Sequence, residues 1–156
     1  MDEEGGELTR SIKGPWTGGC QCGAVRFTVP ALTEPGHLCH CRMCQKASGN
    51  LFAALVGVVR DEIVWHGAPS GWHSSATVRR LFCPTCGTPL GYAGDEDDGW
   101  GLMIGAFDRA GEVPVDRQCD IYARHPAMDV LDLPHGNEPP DDPRGATSRQ
   151  HPDGPR

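Results

Sequence analysis

The chain has no apolar run approaching the roughly 18 residues that a membrane-spanning helix needs, so a membrane span is excluded. It is also short of basic residues. Fourteen Lys and Arg stand against 21 Asp and Glu, giving a net charge of −7 and a pI near 5.4. Arg79-Arg80 is the only basic pair in the body of the chain. Phosphate binding needs clustered Lys and Arg, so nucleic acid is excluded as the main partner. The sequence shows no internal repeat. Its first residues, Met1-Asp2-Glu3-Glu4-Gly5, lack the charged-then-apolar order of a secretory signal. The expected location is the reducing cytosol of the cell. There, clustered cysteines read as metal ligands rather than as disulfides.

What the chain does have is eight cysteines. Seven fall into three clusters, Cys20-Gln21-Cys22, Cys39-His40-Cys41-Arg42-Met43-Cys44 and Cys83-Pro84-Thr85-Cys86, while Cys119 stands alone. An even count permits a disulfide framework, but pairs spaced as CxC and CxxC bring thiols together locally, as metal sites require.

The 156 residues suffice for one domain with a modest core. Residues 1–13 are polar and expected to be disordered. From Pro134 to Arg156 there are six Pro, three Gly and a single apolar residue, Ala146. Such a segment cannot bury enough surface to offset its ordering entropy, so 134–156 reads as a disordered tail. The folded body is expected over 14–133. Its signals are for short strands: 24–29, where Val25, Phe27 and Val29 share a face, then 51–59, 78–82, 90–93, 100–107 and 121–123. One helical turn is expected over 42–48, with Gly49 supplying the left-handed residue after it. Trp65, Trp72 and Trp100 read as core or rim residues of the sheet. The acidic turn 95–98 reads as solvated carboxylates rather than as a site for a hard cation. The fold class is therefore mainly β.

Cys20, Cys22, Cys83 and Cys86 supply two pairs of thiols bracketed by glycine. Joined, they make the four ligands of a structural zinc and close a loop of about 60 residues. A redox role for Cys83-Pro84-Thr85-Cys86 lacks the strand-then-long-helix context that such motifs show. Cys39, Cys41 and Cys44 reach one metal from a turn and the start of a helix. Three thiolates leave a fourth tetrahedral position, and an open position is what separates catalytic from structural zinc. Cys119, His40 or Asp120 would close it. The spacing alone supports the open and closed forms equally.

In Gly19-Cys20-Gln21-Cys22-Gly23-Ala24-Val25, in 39–49 and in Arg80-Leu81-Phe82-Cys83-Pro84-Thr85-Cys86-Gly87-Thr88-Pro89-Leu90, the sequence resembles the glutathione-dependent formaldehyde-activating enzyme family, which includes centromere protein V-like domains. The likeness runs over about residues 16–128. It implies a β-tent of short antiparallel strands with one short helical turn after the middle cluster. It implies two zincs per chain, a structural one on Cys20, Cys22, Cys83 and Cys86 and a catalytic one on Cys39, Cys41 and Cys44. It implies carbon–sulfur lyase chemistry on a thiol adduct of formaldehyde or another small aldehyde, with glutathione as co-substrate. Lys46 is a candidate to steady an anionic oxygen or carboxylate, set against a plain solvated helix residue. His40, between two ligands, is expected to point away from them into packing. Two positions depart from the family pattern. Cys119-Asp120-Ile121-Tyr122 stands where members often carry a His, and Met128 falls near a common Trp. The alternative reading is a non-catalytic zinc module that binds a protein, with both sites closed. Nothing in the sequence speaks to oligomeric state.

Overall fold

In a computed structural model the described residues are 11–121, with the side chain of Cys119 excepted. Among these residues nine strands form two antiparallel sheets. The first contains β1 (Ile12–Gly19), β2 (Arg26–Leu32) and β5 (Val64–His66), in the order β1-β2-β5. The second contains β3 (His37–Cys39), β4 (Ala53–Val59), β6 (Ser70–His73), β7 (Val78–Phe82), β8 (Pro89–Gly94) and β9 (Gly99–Met103), in the order β3-β4-β9-β8-β7-β6. The helix α1 (Arg42–Ser48) joins β3 to β4. This is the expected mainly β fold of short antiparallel strands with one short helix after the middle cysteine cluster. Among the described residues no helix is long and apolar enough to cross a membrane.

Alternation from Val25 into β2 buries Val25, Phe27 and Val29 to within 1% of complete, as their shared face predicts. Facing them from the second sheet are Val56 and Val58 of β4, Leu90 of β8 and Leu102 of β9, all fully buried. The ring of Phe27 meets those of Phe107 and Trp65 edge-on at 5.0 and 5.8 Å. This is the arrangement that aromatic quadrupoles favour. The core thus lies between the sheets, and Cys20, Cys39, Cys44 and Cys83 are buried at its margins. Trp65 packs on that core, the Trp100 indole donates to the Gly94 carbonyl at 3.0 Å, and Trp72 stands 65% exposed on the edge strand β6.

Some elements differ from the sequence reading. The strand expected over 100–107 stops at Met103 and gives way to a 3-10 turn over Ile104–Ala106. There the chain leaves the second sheet, and Phe107 bridges to Gly18 of β1 in the first. β1 begins at Ile12, ahead of the expected start of the body. Its glycines and proline hid it, because an edge strand that bulges between Lys13 and Trp16 tolerates them. The short strands β3, β5 and β6 also carried no signal of their own; each is held by its neighbour. Of the strand expected at 121–123, Ile121 forms a bridge to Cys39, while Tyr122 and Ala123 lie outside the described residues, as do Met128, residues 1–10 of the segment 1–13 expected to be disordered, and all of the expected tail 134–156.

Candidate metal centres

The β1–β2 turn carries Cys20 and Cys22, and the β7–β8 turn carries Cys83 and Cys86. Their four sulfurs lie within 4.8 Å of one another. Cys22 Sγ is 3.5 Å from Cys20 Sγ and 3.8 Å from Cys83 Sγ. A tetrahedral zinc with bonds of about 2.3 Å spaces its sulfurs about 3.8 Å apart, so the donor set fits such an ion. Each turn is closed by a glycine with positive φ, Gly23 at 80° and Gly87 at 78°, a conformation that glycine adopts without penalty. The turns aim backbone N–H groups at the sulfurs: Val25 donates to Cys20 Sγ at 3.2 Å and Thr85 to Cys83 Sγ at 3.4 Å.

Thr88 joins the two turns, and the sequence reading passed over it. Its hydroxyl accepts the Gln21 N–H at 3.1 Å and lies 3.1 Å from Cys86 Sγ. With its oxygen engaged by Gln21, the hydroxyl proton is free to point at the sulfur. This contact leads the effects that bring the Cys86 pKa down to about 6. At Cys22 the Ala24 N–H favours ionisation, but desolvation and the neighbouring thiols outweigh it and push the pKa up to about 12. Thiolates this close repel one another, and a bound cation is what lets all four ionise together.

The second cluster is built from the end of β3 and the start of α1. Cys39 is the last residue of β3, Cys41 caps the helix, and Cys44 lies in its first turn. The Cys44 N–H donates to Cys41 Sγ at 3.2 Å, a capping bond in which sulfur takes the usual place of oxygen. Gly49, at φ 65°, ends the helix as expected, and its N–H bonds to the Gln45 carbonyl. The three sulfurs lie within 4.8 Å of one another, and no fourth ligand joins them among the described residues. Burial and the adjacent thiols push the Cys39 pKa up to about 12. Burial also opposes ionisation of Cys41, but N–H groups of Cys44 and Met43 and the two neighbouring thiols hold its pKa below the ordinary value.

All three thiols line a cavity of about 460 Å³, with Arg80, Tyr92 and Trp100 among its other walls. Arg80 is only 8% exposed. Its Nη1 donates to Cys44 Sγ at 3.4 Å, its Nε donates to Ser74 Oγ at 3.2 Å, and its guanidinium lies 5.0 Å from the centre of the Tyr92 ring. In the sequence Arg80 reads only as half of a basic pair. Its position on β7, three residues before Cys83, ties the two clusters to one strand end.

The other candidates fall elsewhere. His40 is 3% exposed and outside the sulfur group. Its ring meets Phe52 at 5.8 Å, its Nε2 lies 3.7 Å from Asp120 Oδ2, and its buried Nδ1 has no hydrogen-bond partner among the described residues. Asp120 is held by the Leu38 N–H at 2.9 Å and by Arg117 at 2.5 Å. Lys46 is exposed and lines a second cavity, of about 420 Å³, rather than the one that holds the thiols. The acidic turn contributes Asp95 to ion pairs with Arg79 at 2.9 Å and His73 at 3.3 Å, and Arg79 leads the lowering of its pKa.

Comparison with known proteins agrees with this architecture. A protein of Halomonas elongata, provisionally named a glutathione-dependent formaldehyde-activating enzyme, is 34% identical over 82 residues. The match spans 47% of this chain and 52% of that protein, so the chain covers about half the length of this relative. The crystal structure of a Rhodobacter sphaeroides protein superposes with a TM-score of 0.52 at 22% identity, covering 64% of this chain and 99% of that one. It shares the fold. The profile of the family described as glutathione-dependent formaldehyde-activating enzyme matches residues 15–125, which takes in every described cysteine of both clusters, and the chain belongs to that family.

Proposed function

We propose that the protein is a zinc-dependent carbon–sulfur lyase that interconverts a small aldehyde and a thiol with their hydroxymethyl-type adduct, with glutathione and formaldehyde as the reference pair. One observation carries this reading. The three thiols of Cys39, Cys41 and Cys44 face a cavity, and no fourth ligand joins them among the described residues. Zinc on these three sulfurs would keep one position for an incoming thiol and lower its pKa toward neutrality. In this reading the four-cysteine cluster holds a second, structural zinc.

The chain's own residues set the conditions for the reaction. Arg80 donates to the Cys44 sulfur, which draws density from that ligand and offsets part of the negative charge of a three-thiolate site. Leu55, Tyr92, Trp100 and Ile121 give the cavity apolar walls, where charge interactions are strengthened. In the forward direction a sulfur–carbon bond forms and the carbonyl π bond opens. The oxygen gains the proton that the thiol has lost. No electrons leave or enter the system.

The seven described cysteines are free thiols, a state that suits a reducing cytosol, and we place the protein there. The test is a calorimetric titration of the zinc-loaded protein with glutathione. Saturable binding is expected, with loss in Cys41→Ser. Equal binding by Cys41→Ser would refute the reading.

A second reading has one observation in its favour. Ile121 bridges to Cys39, and Asp120 accepts the Leu38 N–H, so the segment that carries Cys119 runs beside β3. A Cys119 ligand would turn the protein into a non-catalytic zinc module for protein binding. That reading requires Cys119→Ala to lower the zinc content below two per chain.

A further inference from the structure

A second cavity lies beside the thiol cavity. It is lined by Lys46 and Arg80 and by no carboxylate, on a chain whose net charge is −7. The two cavities share a wall, because Met43 and Arg80 line both. Arg80 is the hinge of the observation. It is nine-tenths buried, and among the described residues no carboxylate pairs with it. Its partners among the described residues are a sulfur, a hydroxyl and an aromatic ring. A buried guanidinium offers five N–H donors, and two of them are used here. Burying such a charge without an anion is costly. The Cys44 sulfur supplies part of a counter-charge on the thiol side. On the other side Arg80 and Lys46 are left converging on about 420 Å³ of space with otherwise largely apolar walls, including Leu81, Phe82 and the 65% exposed Trp72.

We propose that this second cavity is an anion subsite for the substrate. It takes a carboxylate of the thiol whose sulfur sits at Cys39, Cys41 and Cys44, with Lys46 and Arg80 as the residues that select for it. This rests on the lyase reading and adds the residues that select the thiol, through a carboxylate at a distance from its sulfur. Arg80 then has two duties. It faces the Cys44 sulfur with one edge and the substrate anion with the rest. Lys46 needs only to present its charge, which an exposed position on α1 allows.

The test compares glutathione with its dimethyl ester, which keeps the thiol and loses both carboxylates. Both are titrated calorimetrically into the zinc-loaded full chain, into Lys46→Met and into Arg80→Gln, with zinc content measured in each. Charge-assisted hydrogen bonds predict that glutathione binds the parent protein about ten- to a hundredfold more tightly than the ester. Lys46→Met should weaken glutathione about tenfold and leave the ester unchanged. Arg80→Gln, which also touches the Cys44 sulfur, should weaken glutathione more than it weakens the ester. The preference should shrink as salt is added. Equal affinity for glutathione and its ester in the parent protein would overturn the subsite while leaving the lyase reading intact. So would a Lys46→Met variant that binds both ligands as the parent does. Failure of both ligands to bind a protein that carries two zincs would overturn both readings.

Discussion

Replacing Cys86 by Ser isolates the contribution of a metal at the four-cysteine cluster. Cys86 is exposed, so the substitution opens no cavity in the core. Without a metal, such a surface change is worth within about 0.5 kcal/mol. With zinc bound, the outcome is different in scale. Cys22 and Cys83 are 61 positions apart and belong to turns of different sheets. A cross-link closing a loop of that length restricts the unfolded chain by about 4 kcal/mol. That is a large part of the roughly 5–15 kcal/mol by which a domain is stable. At about 4 °C per kcal/mol for a body of this size, loss of the clamp should lower the melting temperature by about 15 °C. The assay is a thermal melt with far-UV circular dichroism, beside zinc content by atomic emission. The expected result is one zinc lost per chain and a melting temperature lower by that margin. A Cys86→Ser protein that still carries two zincs and melts within about 2 °C of the parent would refute the clamp.

Thr88→Val should remove the hydroxyl from Cys86 Sγ and from the Gln21 N–H, and zinc affinity should fall about tenfold in a chelator competition, as when a group that supports a ligand is lost. Phe27→Ala empties the centre of the ring cluster with Phe107 and Trp65 and should cost about 3–5 kcal/mol in urea unfolding, with zinc content unchanged in the folded fraction. Arg26 leads the lowering of the Asp108 pKa, with the Thr17 hydroxyl adding to it. Since the folded pKa lies below the unfolded one, this pair stabilises the protein above the unfolded value and loses its contribution as pH falls through the folded one. Both partners are more than a third exposed, so the contribution is below about 1 kcal/mol, and Asp108→Asn should flatten the acid limb of a stability profile by no more than that.

The sequence by itself determined the thiol groupings, since cysteines two or three residues apart must share a turn whatever the rest of the chain does. It determined α1 and its end, because a left-handed residue is needed after the last turn and Gly49 takes that conformation. It also determined the strands that alternate or run apolar, such as β2, β4 and β7, through period and burial alone. Other features are set by partners distant in sequence. β1, β3, β5 and β6 exist because a neighbouring strand holds them, and β9 ends where Phe107 must cross to Gly18. Thr88 matters because two turns meet at its hydroxyl, and no local pattern marks that meeting. Only the tertiary structure decided the role of Arg80. Packing β7 against β8 and α1 carries its guanidinium from an ordinary basic pair in the sequence to a buried place between the Cys44 sulfur, the Tyr92 ring and two cavities. A charge gains such meaning from what surrounds it, and those surroundings include Tyr92, 12 residues away, and Cys44, 36 residues away.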